Sequence, residues 1–579
     1  MSNNMRKLAM KRIEHEVDFC VVGGGLAGMC AAIAAARHGV KTLLMHERPM
    51  PGGNASSEVR MWVCGTPGCL ETGLIEELRL ENLWRNTTPC YSVWDSILFE
   101  KVRFQENLTT LFNCSCQSAE CENNRILSVT GWQFTTQTFH TVRAKFFADC
   151  SGDSVLAPLT GARFRMGRED KKEFGETLAQ DKADCRTMGM SCILQARETP
   201  SPQRFIPPKW AYTYPDDASL PPRNYKMDRF QNYWYLELGG DRDSIGDTEE
   251  VRDELLKIAF GLWDHFKNHG DHGLENWTLD WVGFLPGKRE SRRCEGDHIL
   301  TEQEILSGEI FDDAVAYGGW PVDDHHPAGF NHFGPPNTNI RLKQPYTIPL
   351  RCLYSVNVEN LFFAGRNISV SHVALSSSRV MATCALLGQA VGTAVFHALK
   401  EGFSANREAA QKCFRAVQQT LLDDDCYIPG AERERPALTR EAALRASAGD
   451  AEALRTGPDR ELAGRSNAWE ARPGDRATYG FPEAREIREI RLAFDSDLTR
   501  DHLNMVSNYT LQGVHYAPPA TLVTAFHLEA DGKTFFREEA NHQRFVVVPC
   551  REKASSVTLV IDALAPGRES AKLFRFDVR

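Results

Sequence analysis

The sequence predicts an α/β chain that ends in an antiparallel β region, and three observations predict it. A β-prone run, a glycine cluster and an alanine-rich helix succeed one another over residues 17–39; a second glycine turn follows at Gly52-Gly53; and from about residue 476 apolar and polar side chains alternate in strand fashion. At 579 residues the chain is well above the ~250–300 at which single cores stop growing, so several domains are expected. With 42% hydrophobic and 25% charged residues it reads as a soluble globular protein. A net charge of −10, with acids and bases mixed along the chain, argues against a nucleic-acid surface or a polybasic membrane patch. Small molecules are the expected partners. The N-terminal MSNNMRKLAMKRIEHE lacks an apolar core, and no uninterrupted apolar run of spanning length occurs later, so a cytoplasmic location without membrane insertion is expected. The 17 cysteines are odd in number and scattered, which suggests reduced, mostly buried thiols.

The first element is Val17 to Val22, a short strand. Gly23 permits the turn after it, Gly25 lets the backbone approach a pyrophosphate, and Gly28 lets the helix starting near Met29 pack close to a sheet. The helix ends at Gly39, and its N-terminal N–H groups would face the diphosphate. A second strand, Val40 to Met45, leads to Glu47, placed to accept ribose hydroxyls. Strand, turn, helix, strand and acid in register predict a Rossmann-type dinucleotide-binding unit.

The motif alone does not choose between FAD and NAD. Arg48-Pro49-Met50-Pro51-Gly52-Gly53-Asn54 does, because NAD domains usually continue into another βαβ unit, whereas a second glycine turn here suits a flavin cofactor. Phe146 to Asp153, with Gly152, and Leu361 to Asn367, with Gly365 and Arg366, are similar to the strands that close a two-domain flavoprotein around FAD. Together with PGGNASSEVRMWVCG, YSVWDSILFEKV, GKRESRRCEGDHILTE, VAYGGWPVDDHHP and LFFAGRNISVSHVALSSSRVMATCALLGQAVGTA, they resemble the bacterial FAD-dependent oxidoreductase family over roughly residues 15–430. The resemblance implies FAD contacts from Gly23, Gly25, Gly28, Glu47, Arg48, Gly52, Gly53, Asn54, Gly152, Asp153, Gly365 and Arg366. In place of the acid that many such flavoproteins carry after the last glycine stand Arg366 and Asn367.

A flavin performs the hydride or electron step itself, so the protein must orient the substrate and move protons. Arg289 and Arg292, in the run Lys288-Arg289-Glu290-Ser291-Arg292-Arg293, suit carboxylate anchoring or charge stabilisation; the alternative is a solvated basic loop. His325, in Asp323-Asp324-His325-His326, suits acid–base work, with the aspartates setting its tautomer; no spacing there supports a metal site. His372 and Arg379 stand where fumarate reductases, whose fold this resembles, place a substrate-facing histidine and arginine; the alternative is a satisfied histidine at a packed helix entry. Cys64 and Cys69 have the spacing of a redox disulfide, but no second GxGxxG follows to bind NADPH, so they read as thiols and the electron acceptor stays unidentified.

The expected architecture is a split Rossmann-type FAD-binding domain with an inserted α+β substrate domain and a C-terminal antiparallel β-sandwich. Its boundaries fall at 15–162 and 349–430 for the two parts of the FAD-binding domain, 163–348 for the substrate domain, 431–475 for a linker and 476–579 for the sandwich, which resembles discoidin-like folds. The substrate domain is rich in aromatic residues, Trp234, Trp281 and Trp320 among them, which serve either as core or as faces for sugar rings. The expected function is hydride transfer between FAD and a carbohydrate or polyhydroxy acid. Rival expectations are a fumarate-reductase-like reaction on a dicarboxylate, and a carbohydrate-binding protein with a vestigial flavin fold. Assembly into a homo-oligomer is left open.

Overall fold

A computed structural model describes residues 10–462, 467–500 and 513–579. The run Phe19–Val22 is apolar throughout, as a strand covered on both faces requires. It is the middle of a sheet of five parallel strands among the described residues, in the order Leu361–Phe363, Phe146–Asp149, Phe19–Val22, Thr42–Met45, Leu108–Leu111. The helix Leu26–Arg37 follows the first glycine loop and stops at Gly39, whose φ of +85° lies in the left-handed region that glycine tolerates. Against it runs the helix Met381–Lys400. A Cβ on Gly388 would meet the Ala27 carbonyl oxygen at 1.9 Å, and one on Gly392 the Ala31 carbonyl oxygen at 2.2 Å, so the two backbones touch only because these residues are glycine. Among the described residues this is the one helix long and apolar enough to cross a membrane, and 89% of that span is buried within the protein.

Between the outer strand Leu108–Leu111 and the strand Phe146–Asp149 the chain builds a separate four-stranded sheet, in which Lys11–Glu16 pairs in parallel with Thr138–Arg143. The region expected to hold substrate forms several small antiparallel pairings: Met190–Ser191 lies between Glu237–Leu238 and Gly287–Lys288, and Val322–His325 pairs with Asn337–Ile340. Its own core gathers Phe230, Tyr233, Trp263 and Trp277 around the amphipathic helix Thr248–Asn268, so several of its aromatic residues are packing groups. Trp234, Trp281 and Trp320 are half-buried, while Trp210 and Tyr212 are exposed.

The described residues divide into two compact units, one holding residues 10–65 and 89–417 and the other 66–88, 418–500 and 515–579. The second unit contains an antiparallel sheet of seven strands among the described residues. Its longest members, Arg476–Phe494 and Phe545–Leu564, shift register between Gly480 and Arg485 and between Ile487 and Glu489, where bulges bend the pair. Side chains from along both strands, with Trp469, Phe526 and Phe576, enclose one core that also takes Leu80 and Leu83 from the helix Leu74–Arg85. The stretch 431–475, whose composition reads as a linker, contributes the strands Ala443–Ala446 and Trp469–Ala471 to this sheet. Its charges are also structural: Arg433 bonds Asp459 at 2.9 Å and Asp577 at 2.5 Å, beside the fully buried Arg575.

Candidate active site

The cofactor-side residues converge on the C-terminal ends of the parallel strands. Gly23 has φ +104°, and a Cβ there would lie 2.3 Å from the Cys150 carbonyl oxygen; one on Gly28 would lie 1.8 Å from that of Gly23. Gly25 caps the helix Leu26–Arg37 in extended conformation, with no side chain bonded to its first turn, so the helix N–H groups face outward. The second glycine turn lies against this loop. Gly52 N–H donates to the Gly24 carbonyl at 2.8 Å, and a Cβ on Gly53 would come within 3.0 Å of the Gly25 Cα. Between the two loops stands His46, a residue that sequence reasoning missed although it directly precedes Glu47. Its Nδ1 accepts from the Gly24 N–H at 2.9 Å and its Nε2 lies 3.0 Å from the Met50 carbonyl oxygen. Burial holds its pKa down at about 4, so it is a neutral pillar rather than a charge. Glu47 is half-exposed, 3.9 Å from Arg48 Nε, and Arg48 Nη1 is buried without a hydrogen-bond partner.

The closing strands add a hub at Asp153. Its carboxylate accepts from Arg366 Nη2, Lys288 Nζ and Ser291 Oγ, each at 2.7 Å, while Arg292 Nη1 donates to its carbonyl at 3.1 Å. Burial opposes its ionisation, but Arg366 and Lys288 outweigh that and hold the pKa at about 2. Gly152, with φ +81°, lies so close to the Arg366 guanidinium that a Cβ would sit 2.5 Å from Nη1. Asp149, fully buried at the end of its strand, ties the turn by accepting from Ser151 and from the Leu156 N–H. Gly365 has φ +122°, and beside it Asn367 Oδ1 is buried without a partner. Asn54 joins this side to the substrate region, donating to the Lys288 carbonyl at 3.1 Å. A glycine-lined cradle at an uncapped helix start, with unsatisfied Arg48 Nη1 and Asn367 Oδ1 at its rim, fits a dinucleotide with an anionic centre. Here FAD would be held by the two glycine loops, Glu47, Arg48 and the Asp153–Arg366 hub.

Further along, the strand Val322–His325 organises the chemistry by its period of two. Asp323 and His325 share one face and Asp324 points to the other, and each face holds a histidine between two carboxylates. On one face, His325 Nδ1 is 2.8 Å from Glu237 Oε2 and its Nε2 is 3.2 Å from Asp323 Oδ2. On the other, His372 Nδ1 is 3.0 Å from Glu290 and its Nε2 is 3.2 Å from Asp324 Oδ1. Burial works against both imidazolium ions. For His372 the carboxylates of Glu290 and Asp324 win and hold its pKa up at about 10. His325 is also raised, with Glu237 and Asp323 outweighing burial and the opposing Arg289. With both ring nitrogens engaged, either histidine can release a proton but cannot take one up until it has lost one.

The structure brings Arg289, His325 and Arg379 together. Arg289 lies 3.5 Å from Glu237 and 5.6 Å over the Trp234 ring, and donates to Ser191 and the Gly189 carbonyl; Arg379 bonds the Asp323 carbonyl and, at 3.3 Å, its carboxylate. Arg292 belongs instead to the Asp153 hub. The basic run Lys288 to Arg293 is therefore a set of paired groups and not a solvated loop: even Arg293 is buried, on Glu169 and the Val370 carbonyl. Sequence reasoning missed Glu237 and Glu169, whose partners lie 88 and 203 residues away. Glu237 carried one local signal, an acid inside an apolar and aromatic stretch, whereas Glu169 lies in the charged run Arg168 to Glu173 and carried none. Cys64 and Cys69 are not joined in a disulfide.

Comparison with known proteins bears on this site. No curated protein matches the chain. Among solved structures, the chain is similar to a geranylgeranyl bacteriochlorophyll reductase-like protein from Thermoplasma acidophilum, at 12% identity over 70% of this chain and 84% of that one, with a TM-score of 0.33. It is similar to an E. coli quinol fumarate reductase FrdA variant at 12% identity over 72% and 75%, with a TM-score of 0.27. The family 32 carbohydrate-binding module of Streptococcus pneumoniae EndoD matches 24% of the chain and 97% of its own length at 11% identity, with a TM-score of 0.19. These likenesses are too distant to bear on the reaction. The family model for FAD dependent oxidoreductases matches residues 18–421, the span that carries both glycine loops, the Asp153 hub and both histidine clamps, and the chain belongs to that family.

Proposed function

We propose that this FAD-dependent oxidoreductase acts on a small hydroxylated substrate, a carbohydrate or polyhydroxy acid, at a carbon bearing a hydroxyl group. The observation that carries the reading is charge balance: Arg289, Arg292, Arg379 and both histidines already have partners within the protein. A dicarboxylate would need two arginines free to receive it. What the cluster does leave unsatisfied is one buried donor, Arg379 Nε, and one buried acceptor, Glu237 Oε1, which has only the 3.5 Å ionic contact to Arg289. A hydroxyl group both donates and accepts, and matches that pair. Arg60, hydrogen-bonded to the Gln195 amide at 2.6 Å and lying over the Tyr91 and Trp281 rings, suits the single carboxylate of a sugar acid.

FAD, when bound, supplies the hydride acceptor or donor. The protein's part is the proton. His372 is the proposed carrier: Asp324, the more accessible of its two carboxylates, holds Nε2 while the buried Glu290 holds Nδ1. In the reducing direction the imidazolium gives the substrate oxygen a proton. In the oxidising direction the deprotonated ring takes one, so oxidation should quicken as pH rises toward about 10. Arg379 Nε and Glu237 Oε1 hold the substrate hydroxyl, and His325 fixes the carboxylates that position Arg289 and Arg379. The odd number and scattered positions of the 17 cysteines support a reducing, cytoplasmic setting.

Anaerobic flavin absorbance against a panel of sugars, sugar acids and dicarboxylates tests the reading. Bleaching by polyols is the expected result. Bleaching by dicarboxylates alone would overturn it in favour of a fumarate-reductase-like reaction.

A further inference from the structure

Away from this site, the inserted region holds a second cluster of titratable side chains. His265, on the last turn of the helix Thr248–Asn268, has a fully buried side chain whose Nε2 lies 2.9 Å from Asp217 Oδ1. Its Nδ1 lies 2.8 Å from the Tyr214 carbonyl oxygen, which only accepts, so Nδ1 carries a hydrogen. In the neutral ring Nε2 is then the lone-pair nitrogen, and it points at a carboxylate oxygen. Such an approach is favourable only with a proton or a metal cation between the two atoms. His272 brings its Nε2 to 3.7 Å from the same Asp217 oxygen, and to 3.2 Å from the His269 carbonyl oxygen, with its ring centroid 4.9 Å from that of His265. One potential ligand atom from each of Asp217, His265 and His272 lies within 4.8 Å of the others. A backbone carbonyl holding the far nitrogen of a buried histidine is the arrangement that orients a metal-binding imidazole.

We propose that Asp217, His265 and His272 bind a divalent transition metal, with zinc(II) as the expected occupant. Two imidazole nitrogens and one carboxylate oxygen suit zinc, whereas calcium and magnesium prefer all-oxygen shells. The Asp217 side chain is 81% exposed, so the ion enters from solvent and water completes its coordination. The ligands come from three segments: the 3-10 turn Asp217–Ser219, the helix end and the loop after it. The bound ion fastens that exposed turn to the helix, a structural clip that is independent of the redox site. No local spacing announces it, since 48 residues separate Asp217 from His265.

The test is calorimetric titration of the chelator-treated, flavin-containing enzyme with zinc chloride, alongside Asp217→Asn and His272→Gln. Asp217 is exposed and His272 lies in the loop after the helix, so both changes should leave folding and flavin content intact. The expected result is saturable binding of one ion per chain, a zinc-dependent rise in Tm, and affinity at least about 10-fold weaker in each variant. Cobalt(II) should give visible ligand-field bands in the wild type that both variants lose. Absence of saturable binding, or equal affinity in wild type and variants, overturns the site.

Discussion

Each buried histidine of the site commits both ring nitrogens to carboxylates, and that sets its response to pH. The folded pKa of His372 is about 10, against about 6.5 in an unfolded chain, so its clamp contributes stability that is complete below pH ~6.5 and lost as pH rises through ~10. Thermal melts of the wild type should therefore decline over that window, and those of His372→Gln should be flatter there; parallel curves would count against the clamp. The sequence exposed this site unevenly. Gly23, Gly25 and Gly28 were legible because their constraint is local: the backbone must turn and a neighbouring backbone must approach within a few residues. The residues that set the histidines' charge were not, because Glu290 lies 82 residues from His372 and Glu237 lies 88 from His325. His46 was hidden for another reason. A neutral, buried histidine that props two loops apart resembles any core residue until both loops are seen.

Among the elements, the tightest constraint is the crossing of Leu26–Arg37 with Met381–Lys400. Gly388→Val would drive a side chain into the Ala27 carbonyl, and the shift would pass directly to the glycine loop at the head of the first helix. We predict destabilisation of about 1–3 kcal/mol or more in urea melts, with loss of bound flavin. Retention of full flavin content at unchanged stability would show that the helices do not set the cradle. The βαβ unit was readable because its strands and helix have short, regular periods. In the C-terminal region the alternation at Ile490 to Phe494 and Val557 to Ile561 was visible, yet these are parts of the strands Arg476–Phe494 and Phe545–Leu564. Their full lengths were obscured where bulges break the alternation. Likewise the stretch 431–475 read as a linker because Arg433 and Asp459 find partners in Asp577 and Arg575, more than a hundred residues away.

For the whole molecule, the division of the chain matters more than its length. The segment 66–88 belongs with the C-terminal unit although it lies between the parts of the nucleotide-binding region. A protein truncated after residue 417 should expose Leu80 and Leu83, which are buried in the second unit's core, and should bind ANS and aggregate; a monomeric, flavin-loaded truncation would contradict that division. Within the second unit, Asp577→Ala leaves the fully buried Arg575 without its 2.8 Å partner and should cost about 3–5 kcal/mol of stability, measured by chemical denaturation. The central claim concerns the other unit: the proton of the reaction passes through His372. Its most direct measurement is the anaerobic rate of flavin bleaching by a reactive polyol, followed against pH in wild type and His372→Gln. The account predicts a wild-type rate that climbs as pH rises toward about 10, and a variant with full flavin content, no such dependence and a rate about 100-fold lower. Equal rates and one shared pH profile would contradict it.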